Sequence, residues 1–243
     1  MIERRPFEDL QNEDLGWLKA RRHFGSAEQG ELSRTGWGCI RAWNDEELMP
    51  DTGVTLQSHA DIEIITYVHE GVITHRDNLG NQRRIKAGDV LVVSAGVGIR
   101  HAESNLDCTP ARIFQIWMSP ASKGGAPAWA FLPNSIANRA GCLVPIASGY
   151  ESDHDAVPIR ACARVLSAKL ETGESVTYAL CELRLAYLVP SSGIVDVNGV
   201  RIHARDGAAI RDVETITITA IEEADVVMVD FFSMRPSIDN SKF

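Results

Sequence analysis

The segment from Gly88 to Asn105 constrains the fold of this chain more than any other part of the sequence. Its first part, Val90 to Val93, is an aliphatic run that predicts a buried strand, and a glycine-rich turn follows. The next strand is predicted to carry His101 and Glu103, which are two residues apart and therefore share one face. An imidazole and a carboxylate on one face, directly after a tight turn, make half of a metal site.

The other half of such a site is expected upstream, where Gln57 and His59 have the same two-residue spacing. Regular alternation from His59 places Glu63 on the same face of an extended strand. Two interpretations of Glu63 stay open. It is either a hydrogen-bond partner of a metal ligand or a carboxylate that is paired elsewhere in the barrel.

Short apolar runs separated by turn residues fill the chain from Gly36 to Met118 and resume after about Gly149. This pattern, without a long helical period, predicts an all-β fold of the sandwich or barrel type. The predicted strands are 38–43, 53–59, 62–69, 71–76, 82–85, 89–94, 100–104 and 112–118, followed by 163–169, 175–182, 184–189, 193–197, 200–203, 207–210, 214–220 and 225–231.

A weak internal repeat predicts two similar β-barrels in tandem. For example, Tyr67 before a glycine turn is echoed by Tyr187 before another. We expect an N-terminal barrel and a connector in residues 1–134 and a C-terminal barrel in residues 135–243, with few short helices. The second copy lacks histidine and glutamate at ligand spacing, so the metal site is predicted in the first barrel alone.

The segments outside the barrels are polar or rich in proline and glycine. Residues 1–30 are predicted to be irregular, residues 119–134 to form a connector, and the residues from Arg235 to form a loose tail. In the connector, Trp129 and Phe131 are expected to pack against a barrel.

Several histidine and tryptophan side chains receive a structural interpretation. Residues 77–81 predict a hairpin turn, and His75 and Asp77 are expected to stabilise it. Four tryptophans are predicted to belong to the core: Trp17, Trp37, Trp43 and Trp117.

Composition excludes several classes of partner. The net charge is −9 and no basic stripe is present, which argues against direct nucleic-acid binding. No apolar run approaches the roughly 20 residues of a membrane helix, and no export signal is recognised, so we expect a cytoplasmic protein without a membrane partner. The five cysteines are odd in number and lack a Cys-x-x-Cys pair, which predicts buried, reduced thiols rather than disulfides or a thiolate zinc site.

The chain resembles the pirin family of bicupin proteins. The strongest block is Ser94 to Glu103, with Gln115-Ile116-Trp117 after it. Further blocks lie at residues 16–18, 40–45, 59–71 and 75–81, and together they cover residues 16–120 in consistent order. Residues 140–234 match by barrel pattern only.

The resemblance implies two tandem cupin barrels of jelly-roll type and an iron site held by a His-x-His pair and a His-x-Glu pair. By position, His59 is the second histidine of the first pair, and His101 and Glu103 are the second pair. Gln57 stands in the place of the first histidine, and its amide oxygen is a weaker donor to Fe(II). We therefore expect a divalent metal, with Fe(II) favoured over Mn, Ni, Cu and Zn, at a site of reduced affinity.

Different classes of function follow from this resemblance. Several pirin-like proteins are similar to quercetin 2,3-dioxygenases, which implies an oxygenase for a small aromatic, flavonol-like substrate with Glu103 as general base. Eukaryotic pirin acts as a transcriptional cofactor, which implies instead a non-catalytic metal-binding, redox-sensing or small-molecule-binding protein with a protein partner. Gln57 favours this second function. A structural bicupin without metal would retain His59, His101 and Glu103 only by chance.

Overall fold

Alternation of buried and exposed side chains defines the strands that build this protein. The computed structural model describes residues 1–24, 36–134, 139–181 and 183–232. In the strand Ile99–Asn105 every second side chain is buried, as expected for a strand with one face on a core. The predicted all-β fold with two cupin barrels is confirmed, and a 3-10 turn at Phe7–Asp9 is described between strands.

Thirteen strands come from the first part of the chain. They are β1 (Ile2–Arg5), β2 (Gln11–Asp14), β3 (Leu18–Arg22), β4 (Ile40–Leu48), β5 (Thr52–Gly53), β6 (Gln57–His59), β7 (Glu63–Glu70), β8 (Val72–Asp77), β9 (Gln82–Lys86), β10 (Val90–Ser94), β11 (Ile99–Asn105), β12 (Ala111–Met118) and β13 (Ala128–Leu132).

Ten more strands follow. They are β14 (Val144–Ser148), β15 (Val157–Pro158), β16 (Ala163–Leu170), β17 (Ser175–Ala179), β18 (Arg184–Ser192), β19 (Ile194–Val197), β20 (Val200–His203), β21 (Gly207–Ile210), β22 (Thr215–Ala220) and β23 (Ala224–Phe232). Each range predicted from the sequence overlaps a strand of the structure.

Each barrel consists of a large sheet and a small sheet with a core between them. In the first barrel the large sheet has the order β13-β10-β7-β12-β4-β3-β2, and the small sheet has the order β5-β11-β8-β9, with β6 also paired to β11. In the second barrel the orders are β1-β21-β18-β23-β16-β14-β15 and β17-β22-β19-β20. Strand β11 therefore lies in the small sheet of the first barrel.

The two barrels pack through an aromatic and aliphatic core that is drawn from their large sheets. Trp43 on β4 is fully buried, and its ring lies 5.7 Å from Phe114 and 5.5 Å from Tyr187 of the second barrel. Because the large sheets face each other, the small sheets form the outer walls of the molecule. Of the predicted core tryptophans, Trp43 occupies the centre of this interface.

The N-terminal residues form strands, so the prediction that residues 1–30 are irregular is wrong for the described part, 1–24. β1 pairs antiparallel with β21 of the second barrel, and Arg4 Nε lies 2.7 Å from Asp206 Oδ2 there. β2 and β3 extend the large sheet of the first barrel. β1 and β2 are edge strands and β3 is next to an edge. These strands escaped prediction because charged side chains are common there and hydrophobic alternation is weak. Residues 25–30 lie outside the described residues.

The connector packs onto the first barrel, as predicted. β13 pairs with β10, which places Trp129 opposite Val93, and both Trp129 and Phe131 contact the barrel core. Gly96 has φ +51, and a Cβ there would lie 2.3 Å from the carbonyl oxygen of Gly125. Glycine is therefore required where this turn meets the connector. The domain division at 134/135 stays a prediction, since residues 135–138 lie outside the described residues.

Among the five cysteines, the prediction of burial holds for Cys39 only. The other four lie in loops between strands, where no core covers them: Cys108, Cys142, Cys162 and Cys181.

The predicted loose tail from Arg235 lies outside the described residues. Among the residues that are described, no helix has the length and the apolar character needed to cross a membrane.

Replacing Trp43 with alanine is expected to destabilise the protein by about 3–5 kcal/mol, since the change leaves a cavity between the barrels. Trp43→Phe is expected to lose much less, because within the described part of the chain the indole N–H has no hydrogen-bond partner to forfeit. Urea unfolding followed by circular dichroism measures both variants. Equal, small losses in both would show that the interface contributes little to stability.

Candidate metal centre

Strand β11 presents the two residues that the sequence predicts as the centre of a metal site. His101 and Glu103 are 4% and 2% exposed and lie on its inner face. Across the neighbouring strands, Gln57 on β6 lies opposite His101, and His75 on β8 lies opposite Glu103. Opposite residues of antiparallel strands share a face, with Cβ atoms about 4.5–5.5 Å apart. Three strands therefore bring these side chains to one place.

The carboxylate of Glu103 is held on both oxygens by neighbouring side chains. Thr66 donates a hydrogen bond to Oε1 at 2.9 Å, and Gln115 Nε2 donates to Oε2 at 3.3 Å. Trp117 Nε1 in turn donates to Gln115 Oε1 at 2.8 Å, which fixes the orientation of that amide. Glu103 is thus positioned before anything binds.

Burial sets the protonation states of the site. It raises the pKa of Glu103 to about 7, with a further contribution from the negative charge of Glu46, while the Thr66 hydrogen bond opposes the shift. Burial also lowers the pKa of His101 to about 4, and the nearby His59 and His75 add to this. The imidazole of His101 is therefore neutral at physiological pH, with a lone pair free for a cation.

His59 contacts His101, whereas Gln57 lies at the rim. The rings of His59 and His101 are 5.0 Å apart, and Trp117 stands edge-on to His59 at 5.1 Å. Gln57 is exposed and lines the same cavity as His101. Trp117, predicted to be a core residue, is half-buried and forms a wall of the site.

His75 belongs to this cluster and also contacts the hairpin residue Asp77, as predicted, with Nε2 3.4 Å from Asp77 Oδ2. Its side chain is fully buried, its ring lies 5.5 Å from that of His101, and it stacks near Trp129 at 6.0 Å. One ligand atom each from His75, His101 and Glu103 lie within 4.8 Å of one another. Sequence reasoning missed His75 because its role depends on the register of β8 against β11, which no local pattern encodes.

Asp77 and Glu63 accept hydrogen bonds from groups that do not belong to the cluster of His75, His101 and Glu103. Asp77 Oδ1 accepts hydrogen bonds from the backbone N–H groups of Leu79 and Asn81, so Asp77 stabilises the hairpin as predicted. Glu63 Oε2 accepts from Ser94 Oγ at 2.6 Å and from the backbone N–H of Arg160 at 3.1 Å. Of the two interpretations of Glu63, the structure favours the paired barrel carboxylate.

A cavity of about 180 Å³ leads to His101 and Glu103. Its walls include Glu46, a carboxyl whose pKa is raised to about 7, chiefly by burial. Asn44 Nδ2 donates to Glu46 Oε1 at 3.2 Å. Glu46 is absent from the sequence-based prediction because the predicted strand ends at residue 43. The acidic residues that follow, 45–47, are more typical of a loop. Continued alternation along β4 was the signal that could have found it.

The donor atoms of the cluster fit a divalent cation. Within the described residues, no hydrogen-bond partner is found for His59 Nε2, His75 Nδ1 or His101 Nδ1, although all three atoms are buried. Leaving buried polar atoms without a partner is unfavourable by about 1–3 kcal/mol each. Imidazole nitrogens beside a carboxylate are the ligands that Fe(II), Ni(II) and Zn(II) accept, so a bound ion would satisfy these atoms.

The second barrel has no comparable cluster in the part of the chain that the structure describes. Near the place where β6 carries its ligand candidates, β17 carries Tyr178, whose hydroxyl donates to Asp230. Arg184 Nε also donates to Asp230, at 2.6 Å, and its Nη1 donates to the Tyr150 hydroxyl at 3.0 Å. A buried ion pair with tyrosine partners therefore occupies this end of the second barrel.

Family models cover both barrels. A model described as Pirin matches residues 4–118, and one described as the quercetinase C-terminal cupin domain matches residues 146–231. A pirin-like protein of Caulobacter vibrioides is 55% identical over 230 residues, which are 95% of this chain and 99% of the relative.

A curated relative and a solved structure from Escherichia coli extend the comparison. A quercetin 2,3-dioxygenase of strain K12 is 30% identical over 218 residues, which cover 88% of this chain and 92% of the relative. The crystal structure of the bacterial pirin YhhW in complex with nickel(II) has a TM-score of 0.89 at 27% identity, with 96% of this chain and 99% of that chain covered.

Metal binding is expected to release protons in a pH-dependent way. Because the pKa of Glu103 is about 7 before the cation arrives, a cation that binds its carboxylate displaces close to one proton at pH 6 and almost none at pH 8. Affinity should therefore rise with pH through 7. Calorimetric titration with Ni(II), in buffers of different ionisation enthalpy, counts these protons.

Two variants test the origin of this proton. In Glu103→Gln the difference between pH 6 and pH 8 should shrink by about one proton. In Glu46→Gln the midpoint of proton release should move to lower pH, because a negative charge that raises the pKa of Glu103 is gone. Proton release that is the same in wild type and in Glu103→Gln would contradict a direct role of this carboxylate.

Proposed function

The chain belongs to the pirin family, and from that premise we propose that it is a metal-dependent dioxygenase of the quercetin 2,3-dioxygenase type. One observation carries the proposal: buried imidazole nitrogens without hydrogen-bond partners among the described residues surround a positioned carboxylate at the inner end of a cavity. His23 Nε2 and His69 Nε2 are also buried without a partner among the described residues, but only His75, His101 and Glu103 form a group of ligand atoms there.

The metal is proposed to bind His59, His101 and Glu103, with Gln57 at the rim as a weak oxygen donor. Two imidazoles and one carboxylate are the set that suits non-haem Fe(II), which favours Fe(II). Ni(II) is the second candidate, because the related YhhW protein was crystallised with nickel. When bound, such a cation supplies Lewis acidity for the oxygen atoms of a substrate and a place where dioxygen meets it.

Glu103 is proposed as the general base that removes a hydroxyl proton from the substrate. A general base must lie within hydrogen-bond reach of the proton that it removes, and the carboxylate of Glu103 lines the cavity that a substrate would enter. The contact of Gln115 with Oε2 is the longer of its two hydrogen bonds, so Oε2 is the oxygen that accepts the proton. Thr66 holds Oε1 and keeps the carboxylate oriented during the transfer.

The cavity favours a flat substrate that enters by one edge. Its volume of about 180 Å³ is below the roughly 300–1,000 Å³ of pockets that enclose drug-sized ligands. Leu48, Ile113 and Trp117 provide apolar walls, and Glu46 and Gln115 provide polar ones. A flavonol-like molecule would place the ring with its hydroxyl and carbonyl oxygens inside and leave its second aromatic group at the mouth.

We also propose that the protein works in the cytoplasm. The free cysteines Cys108, Cys162 and Cys181 are exposed, and exposed thiols persist in reducing compartments.

The second candidate function is a non-catalytic one, as a metal-binding or redox-sensing regulator with a protein partner. The position of Gln57 favours it, because an exposed amide stands where the family resemblance implies an imidazole ligand. Loss of one imidazole lowers affinity and leaves a site that exchanges its metal, which suits a sensor better than a catalyst.

The direct test combines metal analysis with turnover. Protein loaded with Fe(II), and separately with Ni(II), is mixed with quercetin in air, and flavonol absorbance and oxygen uptake are followed. The proposal predicts loss of the flavonol with equal consumption of dioxygen. Bound metal without turnover would contradict the enzyme and support the regulatory function, and no bound metal after loading would contradict both.

Glu103→Gln separates the base from the ligand. The rate per bound metal should fall by about 100-fold or more, as expected when a general base is removed. Glu63→Gln is the matched control, because Glu63 is also buried but pairs with Ser94, and its rate per metal should stay near that of wild type. A Glu103→Gln enzyme that turns over normally per bound metal would contradict the assigned base.

A further inference from the structure

We infer that His75 is a metal ligand in this chain and supplies the imidazole that position 57 lacks. The inference rests on the proposed metal site and changes its ligand set from one that includes Gln57 to one that includes His75. It starts from the pairing of β8 with β11, which places His75 directly opposite Glu103. His75, His101 and Glu103 form a group of ligand atoms within the described residues, whereas Gln57 is exposed where it lines the cavity.

The separations within this group suit a shared ion. One ligand atom from each of the three residues lies within 4.8 Å of the others. Donors that bind one ion at about 2.1 Å in a tetrahedral or octahedral arrangement lie roughly 3.0–3.4 Å apart. Side-chain rotations that move the ligand atoms by about 1–2 Å would therefore bring the three donors to coordination distance.

One ring nitrogen of His75 already has a carboxylate partner, as is usual for a histidine that binds a metal through its other nitrogen. Its Nε2 faces Asp77 Oδ2 at 3.4 Å, and Asp77 is itself held by the hairpin and by Asn81 Nδ2 at 2.8 Å. A carboxylate on the far ring nitrogen is the arrangement that orients metal-bound histidines. It keeps the proton on Nε2, so the lone pair of Nδ1 is free.

A structural role beside Asp77 accounts for only one of the two ring nitrogens of His75, and His75, unlike the buried His23, lies in a group of ligand atoms. The contact with Asp77 satisfies Nε2, but Nδ1 is buried and has no hydrogen-bond partner among the residues described. The ring of His75 has no exposed surface through which water could reach it. The same is true of His101 Nδ1, which is also buried and unpartnered, and the two rings lie 5.5 Å apart. A cation between them satisfies both nitrogens at once.

With His75 included, the donor count expected of the family is restored. The ring of His101 contacts both His59, at 5.0 Å, and His75, at 5.5 Å. The ligand set then consists of three imidazoles and the carboxylate of Glu103. With Gln57 in place of His75, it would consist of two imidazoles, one amide and the same carboxylate. Gln57 lies opposite His101 at the rim, where it is exposed, and need not bind the ion.

Affinity measurements on single variants test this ligand set. Dissociation constants for Ni(II) are measured by chelator competition on the full chain. His75→Ala should raise the constant by more than about 10-fold, while Gln57→Ala should change it by less than about threefold. His23→Ala is the matched control, because His23 is also buried but its Nδ1 contacts the hydroxyl of Tyr187, a residue of the core between the barrels. The affinity of this variant for Ni(II) should stay within about twofold of that of wild type.

A rescue variant and a wild-type measurement guard against misfolding. If His75 only supports the fold, adding Gln57→His to His75→Ala should not restore the affinity for Ni(II). If His75 is a ligand, the imidazole introduced by Gln57→His should replace it and restore the affinity. In wild-type protein, ¹⁵N spectra of the histidine rings with and without Zn(II) should show the Nδ1 signal of His75 moving on binding. Neither readout depends on catalytic activity.

The outcomes separate this inference from the proposed function. Wild type that binds Ni(II) while His75→Ala binds equally well, or a His75 Nδ1 signal that Zn(II) leaves in place, overturns the His75 ligand and leaves the metal site. Wild type that binds neither Ni(II) nor Zn(II) overturns the proposed function and, with it, this ligand. Loss of affinity in His75→Ala with rescue by Gln57→His supports the inference.

Discussion

The alternation of side chains along β11 is the constraint on which the site depends. Ile99, His101, Glu103 and Asn105 are buried and their neighbours are more exposed, so two polar ligands are carried into the barrel by residues that the core requires. A shift of register by one residue would turn both ligands to solvent and would also expose Ile99. Hydrophobic packing thereby fixes the position of the polar site. The turn at Gly96 and the connector that packs against it hold the start of this strand in place.

The polar groups around β11 show how a barrel makes a cation site from residues distant in sequence. Thr66 and Gln115 orient Glu103, and Asp77 faces the outer nitrogen of His75. The second barrel has the same architecture with different side chains, and there the Arg184–Asp230 ion pair with Tyr178 satisfies its own charges. The two barrels therefore differ in whether their buried polar groups form a cluster of metal-ligating atoms, which within the described chain is found in the first barrel.

Much of this arrangement could be predicted from the sequence, and the failures have a common cause. Strands with strong period-2 alternation are predicted correctly, and the spacing of His101 and Glu103 predicts that they share one face of a strand. Trp117, His75 and Glu46 were misjudged or missed because their environment depends on which strands lie side by side. The first strand was missed because it pairs with β21, about 200 residues away in sequence. Register and long-range pairing are properties of the folded barrel, and a local pattern cannot encode them.

The central claim is that the buried donors of the first barrel converge on one cation. The most direct measurement is an anomalous difference map from a crystal soaked in Ni(II), collected at the nickel absorption edge. The account predicts a single strong peak inside the first barrel, within coordination distance of His101 and Glu103. A map with no peak there, or with nickel bound only at the surface, would contradict the account.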